Sequence, residues 1–137
     1  MNIAVLALDS VDPRDLLAIR CRMTRADSEW QAEVSDVLRG EASSITPVAL
    51  CHRDGGLVGW SCSHVWRDTQ TLEQWVDEKW RCRGIASALS SALIAHGTLD
   101  RGKPIAVFSE PTHTIAVRLG FDDVRHYRRD GADWVQV

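Results

Sequence analysis

The sequence predicts one α+β domain built on a mixed, mostly antiparallel central sheet flanked by helices. Three observations predict it. Segments with strand-like and helix-like periodicity alternate in the order β-α-α-β-β-β-α-β-α-β-β. Two glycine-containing turns, Asp54-Gly55-Gly56 and Asp130-Gly131, mark hairpins. The chain has 137 residues, 45% of them hydrophobic, which supports one core and leaves no room for a second. Residues 1–137 are therefore read as a single domain, with no repeats, low-complexity segments or linkers.

Residues 2–8 read as a first strand. Asp12 and Pro13 then open a helix, Asp12 as N-cap and Pro13 in the first turn. A second helix starts near Ser28, where Ser28 and Gln31 fit a capping box. Trp30, Val34, Val37 and Leu38 repeat at helical spacing, and Gly40 supplies the stop. Residues 47–51 form a strand and residues 57–66 its return, with Gly59 marking a bulge or a close approach. Residues 68–70 are a turn region and 71–76 the next strand. Residues 84–96 form a helix with Ile85, Leu89, Ala92 and Leu93 inward, ended by Gly97. Residues 104–109 are a buried strand and 112–119 a short helix stopped by Gly120. Two strands around Asp130-Gly131 complete the chain.

Composition narrows the function classes. A formal net charge of -3 argues against a general nucleic-acid binder. No run of about 18 apolar residues exists, so no membrane-spanning helix is expected. The N-terminus has no positive leader, so a signal peptide is not expected. Cys21, Cys51, Cys62 and Cys82 form no C-x-x-C pair, and no metal site is expected. Reduced cysteines and a cytoplasmic protein are the expectation. The six tryptophans admit two readings, core and rim packing or the walls of an acceptor pocket.

Chemistry concentrates in residues 72–86. A strand, Leu72-Glu73-Gln74-Trp75-Val76, runs into a charged loop, and a helix starts at once after Arg81-Cys82-Arg83-Gly84. Such a junction presents unpaired N–H groups at the positive end of a helix, a site suited to a pyrophosphate. Gly84 allows close backbone approach. The loop matches neither the P-loop nor the Rossmann fingerprint, which makes ATP and NAD poor candidates.

Arg81-Cys82-Arg83-Gly84-Ile85-Ala86 resembles the R/Q-x-x-G-x-G/A signature of the GNAT superfamily of acetyl-CoA-dependent N-acetyltransferases. Leu57-Val58-Gly59-Trp60 is similar to that family's third strand, and Leu119-Gly120-Phe121 to the segment after its last helix. The order of elements agrees along nearly the whole chain. The resemblance implies fourth and fifth strands that splay apart and admit the pantetheine arm of acetyl-CoA. It implies that main-chain groups of Gln74 and Val76, with Trp75 between them, hold the arm, and that the Gln74 N–H polarises the thioester carbonyl. Amides of Arg81, Cys82, Arg83, Gly84, Ile85 and Ala86 would bind the pyrophosphate. An amine would then attack the thioester directly in a ternary complex.

The acid and base are less well marked. Glu73 is the only carboxylate of the fourth strand, and alternation puts it on the face opposite Gln74. His64, whose unperturbed pKa suits a base near neutrality, is the other candidate. The position where many relatives carry a tyrosine is Ala116, and the only tyrosine is Tyr127. Ser109 or water is left to protonate the thiolate. A catalytically weak GNAT-fold acyl-CoA-binding module is the alternative function. The acceptor class is not legible, and the sequence is compatible with a homodimer.

Overall fold

The computed structural model describes residues 2–25 and 28–137. Its strands are β1 (Asn2–Ala7), β2 (Pro47–Arg53), β3 (Gly56–Cys62), β4 (Thr69–Val76), β5 (Ile105–Val107), β6 (Val124–Asp130) and β7 (Asp133–Gln136). Its helices are α1 (Pro13–Cys21), α2 (Glu29–Leu38), α3 (Ile85–His96) and α4 (Glu110–Arg118). The strands lie side by side in chain order in one open sheet. Pairing is antiparallel except at β4–β5 and β5–β6, which are parallel.

Side chains cap the helices where the sequence places caps. Asp12 Oδ1 accepts from the Arg14 N–H at 2.8 Å and Ser28 Oγ from the Gln31 N–H at 3.1 Å. The helices cover both faces of the sheet. Leu16, Ile19, Trp30 and Val34 of α1 and α2 pack on Val48, Leu50 and Trp60. On the other face Ile85, Leu89, Leu93 and Ala116 of α3 and α4 pack on Ala49, Val58, Leu72 and Val107. Each large side chain so buried contributes about 1.5–3 kcal/mol.

Both readings of Gly59 hold. Cys51 pairs with Gly59 and His52 with Leu57, so Val58 is an extra residue in β3. A Cβ on Gly59 would meet the Trp75 carbonyl oxygen at 3.1 Å and the Leu89 and Ile85 side chains at 3.2 and 3.3 Å. This approach draws α3 onto β3 and β4 and so fixes where the α3 N-terminus lies.

Several boundaries differ from the sequence expectation. The return strand over 57–66 breaks at Cys62, and Val65–Trp66 instead pairs with Thr69 and Gln70. A two-residue turn with Arg67 at φ 49 and Asp68 at φ 59 causes the reversal, so β4 starts at Thr69. The strand expected over 104–109 stops at Val107, because Ser109 is the N-cap of α4 and the helix begins at Glu110.

Candidate active site

β4 is paired differently along its length. Gln70–Leu72 pair with β5, whereas Glu73–Val76 pair only with β3. The Asp77 N–H donates to the Val58 carbonyl on the β3 side at 2.7 Å. Strand alternation then aims the main-chain groups of Gln74 and Val76 away from β3, at the edge β5 has left. The fourth and fifth strands are thus splayed, with an unpaired edge from Glu73 onward.

The loop after β4 is built by short-range contacts. Asp77 Oδ1 accepts from the Lys79 N–H at 3.0 Å and holds a single 3-10 turn, Glu78–Trp80. The Arg81 Nε donates back to the Val76 carbonyl at 3.0 Å. Gly84 caps α3 in the left-handed region at φ 80, a conformation that favours glycine, and offers no side-chain cap. The first intrahelical bond is Ala88 N–H to Gly84 carbonyl, so the N–H groups of Ile85, Ala86 and Ser87 have no acceptor within the helix. The first turn holds no acidic residue. Arg53 and Arg83 lie over the Trp80 ring at 5.0 and 5.1 Å.

The open β4 edge and the α3 N-terminus share one cavity of about 720 Å³, closed on its far side by α4. Every residue expected to hold the cofactor lines it except Arg83. A Cβ on Gly84 would meet nothing within 4 Å, so the backbone there is open to a ligand. The donors, the space and the cations Arg81 and Arg118 on the lining all fit a diphosphate attached to an extended arm.

The opposite face of β4 is built from side chains. Gln74 lies on the α3 side, where its Oε1 accepts from Ser90 Oγ at 2.7 Å. Glu73 lies on the α1–α2 side, 2% exposed, and its Oε1 accepts from the Arg25 Nε at 2.5 Å. Its Oε2 has no partner among the described residues. Burial pushes the Glu73 carboxyl pKa up, against the lowering charge and hydrogen bond of Arg25. Arg25 also meets His64 Nε2, and its guanidinium covers the Phe108 ring at 4.1 Å. A guanidinium only donates, so His64 Nε2 accepts and Nδ1 carries the proton, 3.3 Å from Thr71 Oγ1. Burial, then the Arg25 charge, lowers the His64 pKa to about 4.

The sequence candidates are thus distributed over two faces. Gln74 and Ser109 line the groove; Glu73 and His64 belong to the other side. Both ring nitrogens of His64 are engaged, which leaves no free lone pair for a base. Ser109 Oγ donates to Thr112 Oγ1 at 2.9 Å and caps α4, so its proton is committed. Ala116 is wholly buried in the core, and Tyr127 packs edge-on against Trp66 at 4.8 Å. Sequence reasoning does not find Arg25. It sits in a polar stretch between helices, and its partner Glu73 is 48 positions away.

No family model and no curated protein matches the sequence. Solved structures do. The aminoglycoside N-acetyltransferase AAC(6')-Iy, in complex with a CoA-linked bisubstrate analog, is 16% identical, covers 87% of this chain and 87% of its own, and has a TM-score of 0.50. The same enzyme in complex with CoA is 16% identical over 86% of this chain and 84% of its own, also with a TM-score of 0.50. A ribosomal-protein-alanine N-acetyltransferase from Brucella melitensis biovar Abortus 2308 is 23% identical over 71% of each chain, with a TM-score of 0.44. The chain has the GNAT-like fold: one α+β layer structure with an open mixed sheet, split between its fourth and fifth strands.

Proposed function

We propose that the protein is an N-acetyltransferase that moves an acetyl group from acetyl-CoA to a primary amine. The observation that carries this is the single groove uniting an unpaired β4 edge with an uncapped helix N-terminus. The amides of residues 81–86 suit the pyrophosphate and the edge groups of Gln74 and Val76 suit the pantetheine arm. The Val76 carbonyl already takes the Arg81 Nε, so its N–H is the group left for the arm. The Gln74 N–H polarises the thioester carbonyl and holds the charge that develops on its oxygen.

The amine reaches the thioester from the α1–α2 face. Its nitrogen lone pair attacks the carbonyl carbon, the C–N bond forms, the C–S bond breaks and CoA leaves as thiolate. Glu73 Oε2, with no partner among the described residues and a raised carboxyl pKa, takes the proton from the new ammonium. Water protonates the thiolate, since Ser109 is bound to Thr112. The four free cysteines support a reducing, cytoplasmic setting.

A second reading has its own support. Arg25 neutralises Glu73 and covers His64, as in a domain that holds acyl-CoA without turning it over. Thiol release from acetyl-CoA across a panel of primary amines separates the two. An enzyme releases thiol with at least one amine, and Glu73→Gln lowers kcat by about 10²–10⁴-fold at unchanged CoA affinity. CoA binding with no release for any amine would leave the binding module standing instead.

A further inference from the structure

A second cavity, of about 340 Å³, opens on the α1–α2 side of the sheet. Arg25 lines it and bonds through Nε to Glu73 of β4, so the cavity and the groove lie on opposite faces of the same strand. Its walls come from Arg25, the N-terminus of α2, the Val65–Trp66 hairpin and the β6–β7 hairpin. This volume is at the small end of the roughly 300–1,000 Å³ of small-molecule sites.

Among the described residues the wall carries three guanidinium groups, Arg25, Arg67 and Arg129, against one carboxylate, Glu29. His64 lines it too and is neutral at pH 7, with its pKa near 4. Two of the cations are spent. Arg25 is paired with Glu73, and Arg67 spans to the β6–β7 hairpin, donating to Asp133 Oδ1 at 2.9 Å and to the Trp134 carbonyl at 3.2 Å. Arg129 differs. Its Nε donates to the Gly131 carbonyl at 3.1 Å and its guanidinium lies over Trp134 at 5.7 Å. Its two terminal nitrogens have no partner and it has no ion pair among the described residues. Arg129 lines the cavity, and its two terminal nitrogens form the fork that matches a carboxylate. Across the cavity, the Glu29 and Trp30 N–H groups of α2 have no acceptor within the helix, because its first bond is Ala32 N–H to Ser28 carbonyl.

We infer that this cavity binds a carboxylate, held by Arg129, and that the acceptor is accordingly a small amine of amino-acid size that also bears a carboxylate. The inference rests on the acetyltransferase reading for the amine and on the cavity alone for the carboxylate.

The test is calorimetric titration of the CoA-loaded protein with matched pairs: phenylalanine against phenethylamine, lysine against cadaverine, alanine against ethylamine. At least one amino acid is expected to bind tenfold or more tightly than its decarboxylated partner. Arg129→Ala abolishes that preference and Arg129→Lys keeps part of it, both with CoA affinity unchanged. Three results overturn the inference. They are no amino acid binding more tightly than its partner at millimolar concentration, a preference that survives Arg129→Ala, or phosphoethanolamine binding more tightly than every amino acid. Failure of CoA itself to bind overturns the acetyltransferase reading instead, and the same titrations without CoA then still decide the carboxylate.

Discussion

The two faces of β4 are made by different means. Its groove face is made by backbone: an unpaired edge at Gln74 and Val76, a left-handed Gly84, and amides at a helix start. Its α1–α2 face is made by side chains drawn from distant segments, with Arg25, Glu73, His64 and Thr71 locked in one network. Backbone donors tolerate almost any side chain around them, provided the glycine stays. The buried network tolerates almost no single change, because each member covers another's charge or lone pair. The groove face therefore suits a ligand with invariant chemistry. The other face suits a ligand whose chemistry varies, as the acceptor of the proposed reaction would.

The difference is most easily broken at Arg25. Removing it by Arg25→Met leaves Glu73 buried without its cation, and loss of one partner of such a pair costs about 3–5 kcal/mol. Replacing both, Arg25→Met with Glu73→Leu, is expected to recover most of that stability, since a buried pair gains little over a well-packed apolar one. Urea unfolding of the two single variants and the double variant checks this. A double variant as unstable as Arg25→Met would mean that Arg25 acts through Phe108 and Trp66 rather than through Glu73.

A smaller effect is expected from His64. Its folded pKa, about 4, is below the unfolded value of 6.5, so between these two the unfolded chain binds the extra proton. This contribution to stability is complete above pH 6.5 and is lost as pH falls toward 4, by up to about 3 kcal/mol. Glu73 works in the other sense, because its raised pKa makes the folded state bind a proton more readily. The clean readout is therefore the difference between wild type and His64→Gln. The wild type should lose more stability than the variant over that window. Parallel curves would show that Arg25 does not face a neutral imidazole.

What the sequence revealed follows the same division. Gly84, Gly97 and Gly120 all adopt positive φ where the sequence places helix ends. Asp12 and Ser28 cap as their spacing implies, and the strand before Arg81 carries the open edge. These are short-range features, decided within a few residues. The break after Cys62 was not legible, because the Arg67-Asp68 turn uses two residues without glycine at positive φ. Ser109 reads as the end of an apolar strand, yet its hydroxyl is a cap for Thr112. Arg25 carries no local pattern at all. Its burial is decided by Glu73 and Phe108, 48 and 83 positions further along the chain.

The separation of the two faces is tested most directly by thermal unfolding with and without CoA. At CoA near 100 times its Kd, stabilisation of about 2.7 kcal/mol is expected for the wild type. The Arg25→Met, Glu73→Leu double variant should gain the same increment, because its changes lie on the side chains' face. Gly84→Asp should fold and gain almost nothing, because its carboxylate would stand where the proposed site brings phosphates to the α3 amides. No stabilisation of the folded wild type at millimolar CoA, or an undiminished shift in Gly84→Asp, would contradict the assignment of the groove.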